Sequence, residues 1–324
     1  MCNSTGQPPG RHTQGLLPLG LNLPIHCTVL FEVHSRLVPQ ELNRLYGRLK
    51  ATSLEDLRGA PTATLISQMA TRARQILQRT ERIPLTSQTG KNYFSFRGHE
   101  QSRPINLELY AASTREFGRL LSAFRQGFTA SSPVDIVRAT YSIAYSVFAA
   151  HDVHDVGRKA SATFFEILIG HIVARAIGVS PRKKVRIPES PDDEPAYLPT
   201  DYLFDPGAQS RKIHLPIKTS TRERAVQAWV HQLVLERIFG TGSYRGVLVV
   251  ASETKRDSRT GVVIEICVPR QLQMFQARVA EMTRLYYLDP PQVYLELANA
   301  HPVHVIVKPF GEALGELEEL LRVR

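Results

Sequence analysis

The chain has 324 residues, 43% of them hydrophobic, with 40 Lys+Arg against 30 Asp+Glu for a formal net charge of +10. That apolar share is ample for one large or two modest cores, and the basic balance suits an anionic partner without identifying it. Cys2, Cys27 and Cys267 lack zinc-ligand spacing and read as reduced thiols. No apolar run approaches a membrane span, and the first twenty residues carry no signal-peptide pattern, so a soluble, cytoplasmic protein is expected.

In chain order, helices are expected around residues 38–50, 62–81, 114–128 and 134–149, with a strand at 92–97. In that strand Tyr93, Phe94 and Phe96 alternate with Asn92, Ser95 and Arg97, a half-buried pattern whose alternative is an aromatic platform. His151-Asp-Val-His-Asp155 has metal-binding residue types but no further ligand nearby, and reads as a polar loop. The chain is expected to divide near 130–155, into a mainly helical N-terminal region (1–150) and a second domain (151–324).

Residues 157–178 have the pattern of a helix, with Phe165, Leu168, Ile169, Ile172, Val173 and Ile177 apolar and Gly178 as its stop. Glu166 lies amid that apolar run, so its carboxylate needs a metal shell, a buried cation or an edge that reaches water. The cluster Arg182-Lys183-Lys184-Val185-Arg186 falls in a Pro-rich stretch and reads as a loop, either a phosphate clamp or simply solvated. Segments 201–207 and 212–218 read as a hairpin. Centred between Gln209 and Ser210, it sets Asp201 opposite Lys218 and Asp205 opposite His214, with Tyr202, Phe204, Ile213, Leu215 and Ile217 on the packing face.

A helix at 221–239 follows, with the hydroxyls of Thr219, Ser220 and Thr221 as caps and Val226, Trp229, Val230, Leu233 and Ile238 at helical spacing. Strands at 246–251 and 262–268, a helix at 270–284, strands at 292–297 and 302–308, and a helix at 311–322 complete the pattern. Strands interleaved with helices in this order predict the α/β class, with a mixed central sheet flanked by helices.

Two constellations carry chemistry. An aspartate beside a lysine can hydrolyse a phosphodiester with a divalent cation: the carboxylate holds the metal and the ammonium orients water and neutralises developing charge. A surface ion pair has the same sequence. The triplet Arg222-Glu223-Arg224 opens the helix just beyond. Arginine grips guanine O6 and N7 and glutamate accepts from cytosine N4, so the triplet suits a C/G-rich major groove. Taken alone, it is also a common mixture of charges on a solvated helix.

At these residues the chain resembles the type II restriction endonucleases of the PD-(D/E)XK superfamily, in the branch that recognises CCGG, CCNGG or CCWGG sites. The matching element is Lys218, Arg222, Glu223 and Arg224, preceded by Asp201 in Pro-Thr-Asp. The resemblance covers roughly residues 157–300. It implies a restriction-endonuclease-like fold and Mg²⁺-dependent cleavage of double-stranded DNA. It also implies a metal site of Asp201 and Glu166 with Asp205 in reserve, and a homodimer or higher homo-oligomer, since a palindrome demands two-fold symmetry. The chain departs from the branch at Pro216, where many members carry an acid, and at His231, where the branch places a metal-binding glutamate; His231 or the adjacent Gln232 is then the candidate replacement. Two other readings are a DNA-binding protein on the same fold without catalysis, and a repair or structure-specific nuclease.

Overall fold

The computed structural model describes residues 25–98, 100–154, 158–187, 196–222 and 225–322. The chain divides into two compact units, Met1–Val38 and Pro39–Arg324. In the first, residues 25–38 are helical, the opening part of α1 (Ile25–Glu55). The second holds everything that follows.

Its helical layer comprises α2 (Ala60–Leu77), then after a small sheet of β1 (Arg82–Leu85), β2 (Tyr93–Phe96) and β3 (Ile105–Asn106), the helices α3 (Thr114–Arg125), α4 (Pro133–Val153) and α5 (Arg158–Ile177). Local chemistry sets their starts. Ser113 accepts from Glu116 N and Ser132 from Asp135 N, each satisfying a first-turn donor, and Pro133 fits a first-turn position that needs no N–H. α4 is buried nearly all round and stacks Tyr141 on Tyr145 at 3.9 Å between ring centroids. All four residues of β2 are buried, with Phe94 and Phe96 edge-on to Tyr110, so these aromatics form core and offer no platform.

The main sheet takes β4 (Arg182–Arg186), β5 (Tyr197–Phe204), β6 (Lys212–Leu215), β7 (Ile217–Lys218), β8 (Tyr244–Ser252), β11 (Met282–Asp289) and β12 (Val307–Pro309). Its order is β12-β11-β8-β6-β5-β4, with β7 continuing β6 alongside β8. β4, β5 and β6 pair antiparallel; β6, β7, β8, β11 and β12 pair parallel, making the sheet mixed as expected. Between these strands lie α6 (Ala225–Phe239), the hairpin of β9 (Thr254–Arg256) and β10 (Val263–Glu265), α7 (Pro269–Arg278), the short α8 (Gln292–Leu295) and finally α9 (Ala313–Leu321).

Several expectations are corrected. α5 is long and apolar enough by length and composition to cross a membrane, yet Phe164, Phe165, Ile167, Leu168, Ile169, Ile172 and Val173 are all buried in the protein, as befits a core helix. Residues 182–186 form no loop: they are the edge strand β4, whose charges discourage pairing with another chain. The helix expected to reach 284 stops at Arg278, and Met282 onward is the inner strand β11. Residues 292–297 are helical, because Pro291 caps a turn and ends the extended run. The expected boundary near 130–155 falls at α4 and α5, which pack on each other inside one unit.

One glycine positions the functional helix. A Cβ on Gly170 would stand 2.4 Å from the Tyr202 ring, so α5 lies against β5 as closely as backbone permits. Gly170→Ala is expected to cost about 1–3 kcal/mol by overpacking, read as a lower denaturation midpoint; an unchanged midpoint would refute the close approach.

Candidate active site

The site forms where β5 leaves its neighbours. Pairing with β6 ends at Tyr202↔Leu215, and the register with β4 slips between Lys184↔Pro199 and Arg182↔Leu203, leaving two extra residues on β5 around Asp201. Such bulges re-aim a side chain. On the other side Pro216, which has no N–H to give, interrupts the strand between β6 and β7. The next backbone donor, Ile217 N–H, is taken by Asp201 Oδ2 at 2.7 Å, and Lys218 Nζ donates to the same oxygen at 3.0 Å. Both side chains are largely buried, at 21% and 16% exposure, so this is a sheltered pair and not a surface one.

The register differs by two residues from the expected hairpin: Leu203, not Asp205, faces His214. Leu203 and His214 are buried, and burial takes His214 down to about 4, which keeps its imidazole neutral. Asp205 is ion-paired to Lys212 at 2.8 Å, four residues and so roughly 13 Å along the strand from Asp201, which removes it from the site.

Glu166 comes from α5. Burial first and the Asp201 charge second hold its carboxyl above the usual range, against the opposing pull of Lys218 and Lys183. Two carboxylates that repel each other in a half-buried site suit a divalent cation, and Mg²⁺ needs only one or two protein carboxylates beside water and substrate phosphate. Among the described residues no three His, Cys, Asp or Glu side chains cluster as a metal cage. A cation held here would therefore rest on Asp201 and Glu166.

α6 supplies the remaining wall. His231 lines a small cavity with Asp201, Lys218 and Gln227. Burial first and the Lys218 ammonium second hold it below its usual value, hence neutral at pH 7. Gln232, the other candidate, is fully buried and engaged: Oε1 meets His214 Nδ1 at 3.0 Å, while Nε2 donates to Glu236 and to Tyr244 O. It fastens α6 to β6 and β8 and has no access to the site.

A second cavity, of about 960 Å³, opens from Lys218 towards Arg222 and is walled by Glu166, Lys159 and Gln227. Lys159 and Gln227 went unnoticed in the sequence although the signal is there: Lys159 lies two turns before Glu166, and Gln227 one turn before His231, on the same helix faces. Of the expected basic cluster, Lys183 lies over the Tyr202 ring at 5.1 Å and is electrostatically coupled to Glu166, while Lys184 lies over Tyr197 at 4.6 Å and Arg182 is exposed. Arg222 is half-buried at the cavity wall; Glu223 and Arg224 lie outside the described residues. The Thr221 hydroxyl, expected as a helix cap, donates to Glu253.

A mixed sheet flanked by helices, with its strands parting around an aspartate–lysine pair, has the fold of the type II restriction endonucleases. The crystal structure of the type IIP restriction endonuclease Kpn2I is similar to this chain with a TM-score of 0.71 and 22% identity, over 86% of this chain and 96% of that one. That share is too large to be residues 151–324 alone, so the likeness extends into the N-terminal helices. A weaker likeness, TM-score 0.43 at 11% identity over 64% of this chain and 91% of the other, is to restriction endonuclease PspGI in a complex with substrate DNA. No protein-family model matches the sequence, and no curated protein does.

Proposed function

We propose that this protein is a Mg²⁺-dependent type II restriction endonuclease that hydrolyses double-stranded DNA at a short palindrome containing CC and GG. The observation that carries the reading is the sheltered contact of Lys218 Nζ with Asp201 Oδ2 at 3.0 Å, at a fork in the sheet that Glu166 overlooks.

Asp201 and Glu166 would hold the cation, which supplies a polarised scissile phosphate and an acidified water when bound. Lys218 orients that water and offsets the negative charge that grows on the phosphate, and the low polarity of its surroundings strengthens both effects. The neutral imidazole of His231 is free to accept a hydrogen bond from water in the same small cavity. Arg222, at the wall of the adjoining cavity, and Arg224 would take guanine O6 and N7 and Glu223 the cytosine N4, each good pair being worth about 1–3 kcal/mol of discrimination. Arg182, Lys183 and Lys184 on the exposed edge strand suit phosphate contacts. One such reading triplet per half-site calls for a homodimer or a higher even assembly.

A cavity of about 390 Å³ that shares Arg222 with this groove is lined by Lys255 and Arg256 together with Gln101–Pro104. The N-terminal half thus builds part of the same groove. Neither Lys255 nor Arg256 has an ion-pair partner among the described residues. Alanine at either position is expected to weaken binding to all duplexes alike and to lower the slope of log affinity against log salt by about 1. Fluorescence anisotropy across a KCl series checks this, and an unchanged slope removes them from the DNA path.

The test of the reading as a whole is incubation with plasmid and Mg²⁺, followed by sequencing of the ends. Discrete bands whose ends share one CC/GG palindrome support it. Retarded but uncut DNA points to a binder without catalysis, and ends without a consensus to a structure-specific nuclease.

A further inference from the structure

Glu253 follows the last residue of β8, is fully buried, and takes no part in the Asp201–Lys218 pair. A buried carboxylate persists only where donors meet it. Three donors converge on Oε1: Thr221 N–H at 2.9 Å, the Thr221 hydroxyl at 2.5 Å and the Tyr287 hydroxyl at 3.0 Å. The other oxygen, Oε2, has no hydrogen-bond partner among the described residues.

The segment so gripped is the link between the hydrolytic lysine and the reading triplet. Thr221 lies three residues after Lys218 and directly before Arg222. Arg222 has φ +30°, a backbone conformation that a side-chain-bearing residue holds only when its surroundings impose it. Its Nε is buried with no hydrogen-bond partner among the described residues. Burial above all holds the Glu253 carboxyl above its ordinary value, against the pull of the Thr221 and Tyr287 hydrogen bonds and of the Arg222 charge. The two chain segments that carry Glu253 and Arg222 are thus held together at Thr221. The grip is anchored in the sheet, through β8 on one side and Tyr287 of β11 on the other.

We propose that Glu253 is a positioning residue for base reading: by clamping the turn at Thr221 it sets the backbone from which Arg222 leaves towards the groove. This rests on the reading of the groove as a DNA-cleaving site. The clamp fixes the distance from the hydrolytic lysine to the first reading arginine, so loosening it blurs discrimination between sequences before it touches hydrolysis.

The test compares wild type with Glu253→Gln, Thr221→Val and Thr221→Ser. Glutamine keeps an acceptor for Thr221 but a weaker one than a carboxylate; valine removes the hydroxyl donor at nearly constant shape; serine restores that donor. The readout is the ratio of the cleavage rate at the site found in the wild-type digest to the rate at a site with one base pair changed, measured well below each variant's melting temperature. In Glu253→Gln the ratio is expected to fall at least tenfold, while affinity for random duplex stays within twofold. Thr221→Val should move the same way and Thr221→Ser should return towards wild type; should Glu253→Gln not fold, this pair carries the test. Variants that melt earlier yet keep the wild-type ratio show a purely structural carboxylate and overturn the proposal alone. A wild-type protein that cuts no DNA overturns it together with the nuclease reading.

Discussion

Lys218→Ala is expected to abolish most plasmid cleavage, by about 10²–10³-fold or more, while affinity for the cognate duplex in Ca²⁺ changes less than roughly tenfold. The asymmetry follows from where the ammonium sits. It is 16% exposed and bonded to Asp201 Oδ2 at the fork of the sheet, so under the proposed reading its charge would bear on the scissile phosphate and not on the DNA backbone at large. Binding of a duplex by a protein of this proposed kind rests on many phosphate and base contacts, of which this one would be a small share. Losing it removes the only ammonium bonded to Asp201 among the described residues and leaves Asp201 and Glu166 facing each other with less compensation. Gel shift in Ca²⁺ and plasmid cleavage in Mg²⁺, run on the same preparation, separate the two quantities. Cleavage retained by the variant would take Lys218 out of the reaction.

What could be read without coordinates followed the range of the interactions involved. The α5 helix with its Gly178 stop, and the existence of α3 and α4, are written in neighbouring residues. The Asp201–Lys218 meeting was legible as well, since the turn between Asp205 and Lys212 leaves few registers open and the shift of two residues keeps each side chain on its face. The bulge at Asp201 was not, because it depends on how far β4 runs alongside β5, and β4 itself has the composition of a solvated loop. β11 escaped notice for the opposite reason: as an inner parallel strand it is buried on both faces from Leu285 to Asp289 and shows no alternation.

The union of the N-terminal half with the sheet was equally hidden. It runs through Lys91, which bonds Glu265 and Asp289 at sequence separations of 174 and 198, and through Tyr145, whose hydroxyl donates to Ser252. Nothing local marks such pairs. The same distance hides Glu253, whose partners Thr221 and Tyr287 lie more than thirty residues to either side. Gln232 shows the converse error. Its neighbour His231 points into the site, and a helix turns about 100° per residue, so position 232 is directed at His214 and the core instead.

Glu166→Gln is expected to make the protein inactive and more heat-stable at once. Burial and the Asp201 charge raise the native carboxyl of Glu166 above its ordinary value, so the folded state favours the protonated form. The stability this contributes is fully present below the ordinary carboxylate range and is lost as pH rises through the raised native value. The wild type loses it as its carboxyl ionises, whereas a glutamine of the same shape carries no charge to repel Asp201. The melting temperature of the variant should exceed that of wild type by about 2 °C at pH 8 without divalent cation, and the gap should close as pH falls towards 4. Millimolar Mg²⁺ or Ca²⁺ should reverse the order, since a ligand that binds only the folded wild type stabilises it by mass action and the variant lacks half of the carboxylate pair. Cleavage in Mg²⁺ should fall about 10²-fold or more. Thermal melts at the two pH values, with and without cation, give four temperatures per protein; a gap independent of pH, or a cation-induced rise that survives in the variant, would remove Glu166 from the site.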